Sequence, residues 1–577
     1  MILQALKSYY DRLAADPESS IPRVGWEYKE IPFIIVLNPD GSLVSIEDTR
    51  EGEGRQRTAK AFLVPQAEKK TVNIAANLLW DTASYIFGID TKGKPERAKQ
   101  QRDAFRERLV QQLGNLSAVK TVISFLDSIT QGRLSREPCW EEIVSQNPFL
   151  SFRLNGDREL ICQKLEVKQR INALIAAESE TEMRGTCLVT GRNAPIKRLH
   201  SPIKGVYGAQ TTGANIVSFN LDAFTSYGKE QGYNAPVGTE TEFAYTTALN
   251  RLLSKDSRQR LRVGDATTVF WSEKPTKFES DFALFFDSPD RDDPAAHTEK
   301  VRALYESLNT GAYVEYDGDT MFYILGLSPN ASRLSIRFWH RGTIAEFATR
   351  IKQYFDDFRI VKPPNEPEFY SVWQVLVNIA VQNKTSNIPP NLAGDFMRAI
   401  LDGLPYPNTL LQAAIRRIKS DTEYRVRPVR AALVKAYLNR YYRFYPSPLY
   451  REVGVALDIT LPSVGYQLGR LFAVLEKIQE EANPGINTTI RERYYAAACS
   501  APVTVFANLM RLKNHHLAKL DRKPRVIEFE QLLGEIIEKL DGFPAHLDLH
   551  EQGMFAIGYY HQRQAFFSKK QSEAADQ

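Results

Sequence analysis

The sequence has 577 residues but only four cysteines, Cys139, Cys162, Cys187 and Cys499. No two of them stand at the C-x-x-C spacing of structural zinc sites. Four cysteines are also too few for a small secreted scaffold held together by disulfides, so a reducing compartment is expected. The cysteine content therefore argues against a disulfide framework and supplies no zinc motif.

Long apolar runs are missing as well. No segment approaches the roughly 20 consecutive apolar residues that a membrane-spanning helix needs. The N-terminal segment repeats apolar residues at helical spacing from Ile2 to Leu13 and shows no small-residue cleavage site of a secretory signal. We therefore expect a cytoplasmic protein that does not enter a membrane.

Sequence motifs of common active sites are also absent. The chain contains no G-x-x-x-x-G-K-[ST] phosphate loop, no G-x-S-x-G elbow and no H-E-x-x-H zinc motif. Of the eight histidines, His546 and His550 stand four apart, but no third ligand shares their helix face. The sequence therefore predicts no catalytic residue, no metal and no cofactor.

The net charge is only +5, yet the basic residues are concentrated in three segments. Residues 55–70 carry five cations and one anion, and residues 92–108 carry seven and three. Residues 416–443 carry nine cations and two anions. Such segments suit contacts with phosphate groups, although each alone could equally be a solvated helix face.

Two segments combine cations with side chains that can bond to base edges. The first, 69–77, holds Asn73 and Asn77 four residues apart, so both could share one helix face. The second is the glycine-rich GVYGAQTTG at 205–213, within a long Gly-, Ser- and Asn-rich stretch, 185–240. Helix capping would also explain the two asparagines, and a structural turn would explain residues 210–213.

The apolar patterns predict a mixed N-terminal part and a helical C-terminal part. The turn Asn38–Gly41 separates two apolar runs and predicts a hairpin over 31–48, and further strands are expected at 61–65, 156–163, 266–271, 312–325 and 331–342. Three prolines in VKPPNEPE at 361–368 mark a break, after which helical spacing prevails. We therefore predict an α+β fold with a mixed domain, 1–362, and a helical bundle, 363–577.

Four long strings resemble a known family over essentially the full chain. They are KKTVNIAANLLWDTASYIFGID at 69–90, HSPIKGVYGAQTTGANIVSFNLDAFTSYGKEQGYNAPV at 200–237, AYTTALNRLL at 244–253 and LSPNASRLSIRFW at 327–339. The sequence resembles the large subunit of the type I-C CRISPR interference complex, Cascade.

The resemblance implies a subunit without catalysis that works with a guide crRNA and double-stranded target DNA. It would recognise the protospacer-adjacent motif, promote opening of the duplex and R-loop formation, dock on the crRNA end and help to recruit a helicase–nuclease that acts in trans. Its other partners would be a repeated backbone subunit, a crRNA-processing subunit and a small subunit. Residues 455–577 resemble that small subunit, which could be translated internally from about Val453 or Val455.

The resemblance places motif recognition in the N-terminal part, and physical chemistry then selects the candidate residues. The candidates for motif recognition are Lys69, Lys70, Thr71, Asn73, Asn77, Lys204, Gln210, Thr211 and Thr212. The candidates for contacts with the nucleic-acid backbone are Arg55, Arg57, Lys60, Lys229, Arg416, Arg417, Arg427 and Arg430. Of these, the last four are expected to follow the displaced strand or the heteroduplex.

Two other classes of function stay open at this point. A free-standing, metal-dependent nuclease would cut DNA when the purified chain is given a divalent metal. A purely structural scaffold would direct its basic segments at partner proteins or crRNA and would make few contacts with target DNA.

Overall fold

The computed structural model describes residues 1–52, 57–68, 74–90, 93–181, 183–286, 294–421, 425–448 and 450–575. The chain divides into two compact units, each made of two stretches of sequence. Unit 1 comprises Met1–Pro202 and Val217–Leu249. Unit 2 comprises Ile203–Ile216 and Asn250–Gln577.

The strands of the described residues lie in the first 343 residues. They are β1 Trp26–Glu30, β2 Phe33–Leu37, β3 Leu43–Asp48, β4 Arg50–Glu51, β5 Thr58–Ala59, β6 Ala61–Pro65, β7 Trp80–Thr82, β8 Phe149–Leu154, β9 Arg184–Thr186, β10 Asn193–Pro195, β11 Arg260–Val263, β12 Ala266–Ser272, β13 Met321–Asn330 and β14 Arg333–Thr343.

The α-helices occur throughout and replace strands entirely in the described residues after β14. They are α1 Ile2–Ala15, α2 Ala83–Phe87, α3 Pro95–Leu113, α4 Ser117–Ser128, α5 Gln131–Leu134, α6 Trp140–Gln146, α7 Leu165–Thr181, α8 Thr239–Leu252, α9 Lys277–Phe286, α10 Pro294–Asn309, α11 Ala312–Asp317, α12 Ile344–Asp357, α13 Val372–Ile379, α14 Pro390–Leu401, α15 Asn408–Ser420, α16 Pro428–Phe444, α17 Val464–Ala482, α18 Ile490–Ser500, α19 Phe506–Leu517, α20 Lys523–Ile537 and α21 Leu549–Ala575.

Unit 1 is built on a mixed four-stranded sheet with the order β3-β2-β8-β7. The predicted hairpin is present, because β2 and β3 pair antiparallel around a turn that Gly41 closes by donating its N–H to the Asn38 carbonyl. Strand β8 pairs parallel with β2, and all five residues of β2 are buried. The apolar faces of α3 and α4 complete this core through buried residues such as Phe105 and Phe125.

Unit 2 is built on an antiparallel sheet with the order β11-β12-β13-β14. Phe270, Phe322 and Ile324 point from one face of this sheet into a core that α9, α12 and the later helices share. The same core continues without a break as far as Tyr560 in α21. Strands and helices of this unit therefore fold as one body around a single apolar centre.

The structure confirms the α+β class and corrects three sequence predictions. The domain boundary predicted at 362 falls inside unit 2, where the Val361 N–H donates to the Val455 carbonyl (2.8 Å). The sheet cannot close its own core, so helices from both sides of residue 362 cover it. Residues 156–163 form a turn and a 3-10 helix, Ile161–Gln163, and residues 312–317 are helical rather than extended.

None of the described helices combines the length and the apolar character that crossing a bilayer requires.

Candidate nucleic-acid interface

The glycine-rich segment Ile203–Ile216 forms a closed loop that belongs to unit 2. Its two ends are joined because Ile203 and Ala214 exchange both backbone hydrogen bonds (2.8 and 2.9 Å). The Tyr207 N–H donates to Oγ1 of Thr267 on β12 (2.9 Å), and the Asn215 carbonyl accepts from the Leu334 N–H on β14 (2.9 Å). The sheet of unit 2 thus holds the loop in one position.

Two glycines allow the backbone to take this path. Gly205 has a φ of +86°, and a Cβ at that position would meet the Leu253 carbonyl oxygen. Gly213 has a φ of +96°, where its N–H donates to the Gln210 carbonyl (2.9 Å) and closes the tip. Side chains rarely adopt this left-handed region, so the glycines fix the shape of the loop.

The four predicted residues of this loop all face solvent. Lys204, Gln210, Thr211 and Thr212 are exposed, and none of their side chains forms a hydrogen bond or ion pair within the described residues. The loop is held by backbone bonds instead, such as that from the Lys204 N–H to Oδ1 of Asn250 (2.8 Å). The structural-turn alternative therefore accounts for the backbone but leaves these side chains available to a ligand.

A basic segment that the sequence analysis missed lies beside this loop. Residues 251–262 carry five cations and one anion. Arg251, Lys255, Arg258 and Arg262 are exposed, and none pairs with a carboxylate in the described ranges. Gly205 packs against Leu253 near the start of this segment, which places the segment next to the loop. A count of charge over 251–262 alone would have found it.

An aromatic side chain joins the loop to the basic segment. The guanidinium of Arg262, on β11, lies 3.7 Å from the ring centroid of Tyr207. The ring is 56% exposed, so one planar group covers part of it while the rest faces solvent. Arginine stacked on an aromatic ring offers both a positive charge and a flat surface, which suits contact with a nucleic acid.

A comparison with protein families matches residues 6–567 to the family of the CRISPR-associated protein Cas_Csd1. The chain belongs to this family. It is therefore a large subunit of the type I-C Cascade, a complex assembled on crRNA with other Cascade subunits. A search of curated proteins finds no match.

In unit 1 of this Cascade subunit, the first candidate set is only partly described. Lys69, Lys70, Thr71, Asn73 and Arg55 lie outside the described residues.

Asn77 is described, and its surroundings correct the sequence prediction. Residues 74–77 are not helical, and Asn77 is 2% exposed. Its Oδ1 accepts the Glu68 N–H (3.0 Å), while its own N–H donates to Oδ2 of Asp81 (2.9 Å). Asn77 therefore holds two backbone segments together and offers no free amide to a base edge.

The candidates for phosphate contact in unit 1 differ in whether an acidic side chain already pairs with them. Arg57 forms an ion pair with Asp48 (2.7 Å). The pKa of Asp48 is lowered to about 2, chiefly because its carboxylate accepts hydrogen bonds from Arg50. Lys60 is exposed and lies near the Phe62 ring, 5.7 Å from its centroid. Lys229 is exposed beside a tight turn, where its N–H donates to the Ser226 carbonyl (2.9 Å).

The helical candidates of unit 2 separate into exposed and structural arginines. Arg416 is exposed on α15, whereas Arg417 forms an ion pair with Asp421 (3.4 Å). Arg427 is the N-cap residue of α16 and is partly buried. Arg430 is fully buried, with Nε donating to the Asn378 carbonyl (2.8 Å) and Nη1 to Asp421 (3.0 Å). The prediction that Arg430 contacts a nucleic-acid strand is wrong in this structure, because its guanidinium is buried inside the helical bundle and bonds to Asn378 and Asp421.

A metal site has no support among the described residues. Within those ranges, no three histidine, cysteine, aspartate or glutamate side chains are grouped to hold a metal ion. Of the two histidines that stand four apart, His550 uses Nδ1 in a hydrogen bond to the Tyr442 hydroxyl (2.9 Å).

Proposed function

We propose that this Cascade large subunit recognises the protospacer-adjacent motif in double-stranded DNA and promotes opening of the duplex there. It would do so without cutting DNA itself and would help to recruit a helicase–nuclease that acts in trans once the R-loop has formed. The guide RNA would read the rest of the target by base pairing. We place this activity in the cytoplasm.

The observation that carries the proposal is that Lys204, Gln210, Thr211 and Thr212 of the loop Ile203–Ile216 have no side-chain partner among the described residues. Lys204, Gln210, Thr211 and Thr212 expose amide, hydroxyl and ammonium groups, which can contact base edges and distinguish sequences. The neighbouring cations of residues 251–262 can bind phosphates and position the duplex, which adds affinity without sequence information.

The proposed partners inside the complex are the repeated backbone subunit, the crRNA-processing subunit and a small subunit. The small subunit would be translated separately from the same coding sequence, by internal initiation near Val453 or Val455. The segment after these valines contains α17 to α21. Since α17 packs against α19, α20 and α21, these helices could form a bundle in the shorter product.

The test is the ability of the assembled complex to distinguish duplexes with and without the motif. Gln210→Ala is expected to reduce this discrimination about five-fold or more, since one good base contact is worth about 1–3 kcal/mol. The matched control is Gln100→Ala, which removes an exposed glutamine from α3 of unit 1.

Equal discrimination by wild type and Gln210→Ala would point away from this loop. The same measurement on Asn73→Ala then tests the first candidate set, and full discrimination by both variants would contradict the site assignment.

A further inference from the structure

A pocket of about 400 Å³ lies within unit 2, in the helical part of the chain. It is bordered by the linker before α13, the start of α16, α18 and the second half of α21. Among the described residues that line it are Arg425, Arg427, Arg491, Tyr559, Tyr560 and Arg563. Four guanidinium groups around one cavity of this size suit a ligand with a negative charge.

Buried or partly buried glutamates hold two of these arginines, Arg563 and Arg491, in place. Glu476 is fully buried and accepts a hydrogen bond from Nη1 of Arg563 (2.5 Å), while Glu492 accepts from Nε and Nη2 of Arg491 (3.0 and 2.6 Å). A guanidinium has five N–H donors, so Arg563 and Arg491 each retain donors for a ligand. Their side chains are 22% and 25% exposed, which leaves them accessible from the pocket.

The other two arginines complete the positive wall. Arg425 is 5% exposed and bridges two helices, because it donates to the Glu492 carbonyl (2.9 Å) and to the Lys419 carbonyl (2.5 Å). Arg427 stands at the N-cap position of the 17-residue helix α16, whose N-terminal end contributes partial positive charge. Glu366 is the carboxylate among the described lining residues, while Glu476 and Glu480 pair with Arg563 and Glu492 pairs with Arg491 outside the lining.

Tyrosine, proline and valine residues make up most of the remaining lining, together with Asn365, Glu366 and Gln564. The hydroxyl of Tyr559 donates to Glu476 (2.6 Å) and that of Tyr560 donates to the Val361 carbonyl (2.7 Å). With both hydroxyls engaged inside the fold, the pocket is lined by the carbon surfaces of these residues and of Pro363 and Pro428. A ligand that combines an anion with a flat apolar group fits both walls.

We propose that this pocket binds one nucleotide of a single-stranded nucleic acid, with its phosphate on Arg427, Arg491 and Arg563 and its base against the tyrosine and proline wall. This inference rests on the proposed function, in which opening of the duplex provides such a strand. It assigns the contact to arginines of α18 and α21 together with Arg427, instead of the buried Arg430.

The test is the affinity of the assembled complex for a single-stranded oligodeoxythymidine, measured by fluorescence anisotropy. Arg491→Gln and Arg427→Gln are each expected to weaken binding at least five-fold, because each removes a charge-assisted hydrogen bond to phosphate. The matched control Arg511→Gln removes an exposed arginine of α19 outside the pocket and should bind as wild type does. The melting temperature of each complex shows whether the variants fold.

Each other result overturns the assignment. An equal loss in Arg511→Gln, or no loss in the two pocket variants, would contradict a specific site. Thymidine monophosphate that binds wild type but not Arg491→Gln, with unchanged oligonucleotide affinity, would mark a free-nucleotide site. Loss of a partner subunit from the pocket variants would mark a site for an acidic protein segment. Motif discrimination in duplex DNA should be unchanged in the pocket variants, so failure here is distinguishable from failure of the proposed function.

Discussion

At the scale of residues, ion pairing and burial decide which cations can meet a nucleic acid. The sequence marks Lys204 as a candidate for motif recognition and Arg430 as a candidate for backbone contact, but only Lys204 is exposed, while Arg430 lies inside the bundle. Local charge counts cannot distinguish the two, because the carbonyl partner of Arg430, Asn378, lies far away in sequence. The same limit explains why Asn77, which the spacing presents as a surface amide, is a buried link between backbone segments.

We predict that Arg251→Ala with Arg258→Ala weakens binding of the complex to all duplexes alike. Both side chains are exposed and have no acidic partner in the described part of the chain, so each is free to displace a counterion from phosphate. The slope of log K against log salt should fall by about 2, since each lost contact removes about 0.9. A change confined to motif-bearing duplexes would contradict this role and would place these arginines at the bases.

His561 predicts how stability depends on pH. It is fully buried, and burial lowers its pKa from 6.5 to about 3. Below pH 6.5 the unfolded chain therefore binds a proton that the folded chain does not, and stability falls as the pH drops towards 3. At pH 5 this one group should cost about 2 kcal/mol relative to pH 7.5. Thermal unfolding of wild type and His561→Gln checks this, and an equally steep fall in both would assign the pH dependence to other groups.

At the scale of elements, α17 and α21 show how glycine sets the distance between helices. A Cβ at Gly469 of α17 would overlap the backbone of α21 at Phe555 and Tyr559, and one at Gly558 of α21 would overlap the backbone of α17 at Tyr466. Backbone atoms cannot move aside as a flexible side chain can, so the close approach of the two helices depends on these glycines.

We predict that Gly469→Ala destabilises the protein by about 3 kcal/mol or more, because the added methyl group forces the helices apart. The matched control is Gly534→Ala in α20, where a Cβ would meet no atom within 4 Å. Alanine favours a helix by about 1 kcal/mol over glycine, so the control should be neutral or stabilising. Urea unfolding of the two variants measures this difference, and similar effects in both would contradict the packing argument.

Elements with strong local signals could be predicted from the sequence. The hairpin β2–β3 follows from its turn residues, and α3, α4 and the helices after residue 363 follow from their periodicity. The strand predicted at 156–163 is absent, since its short apolar run also fits the observed 3-10 turn. The parallel neighbour of β2 is instead β8, more than 100 residues away, a pairing that local pattern does not reveal.

At the scale of the whole molecule, one core joins parts of the chain that composition separates. The last described strand, β14, ends at Thr343, well before the prolines at 361–368, and the core of unit 2 runs past them from Leu261 to Tyr560. Loop Ile203–Ile216 also belongs to this unit, although the residues on both sides of it belong to unit 1. Sequence patterns locate changes of secondary structure, whereas units depend on contacts between distant segments.

This arrangement also explains how much of the candidate site could be foreseen. Residue types alone predict the polar candidates of the loop, but only the fold shows that their side chains have no partner within the described residues. Only the fold brings the cations of residues 251–262 next to the loop Ile203–Ile216. It also brings together, around one pocket of unit 2, arginines that are distant in sequence.

The central claim is that this subunit gives Cascade its recognition of the protospacer-adjacent motif. The most direct test measures binding to duplexes with and without the motif by complexes reconstituted with and without this chain, on the same crRNA. The account predicts motif-dependent binding only when the chain is present and an R-loop only on the motif-bearing duplex. Equal discrimination by the complex that lacks the chain would contradict it.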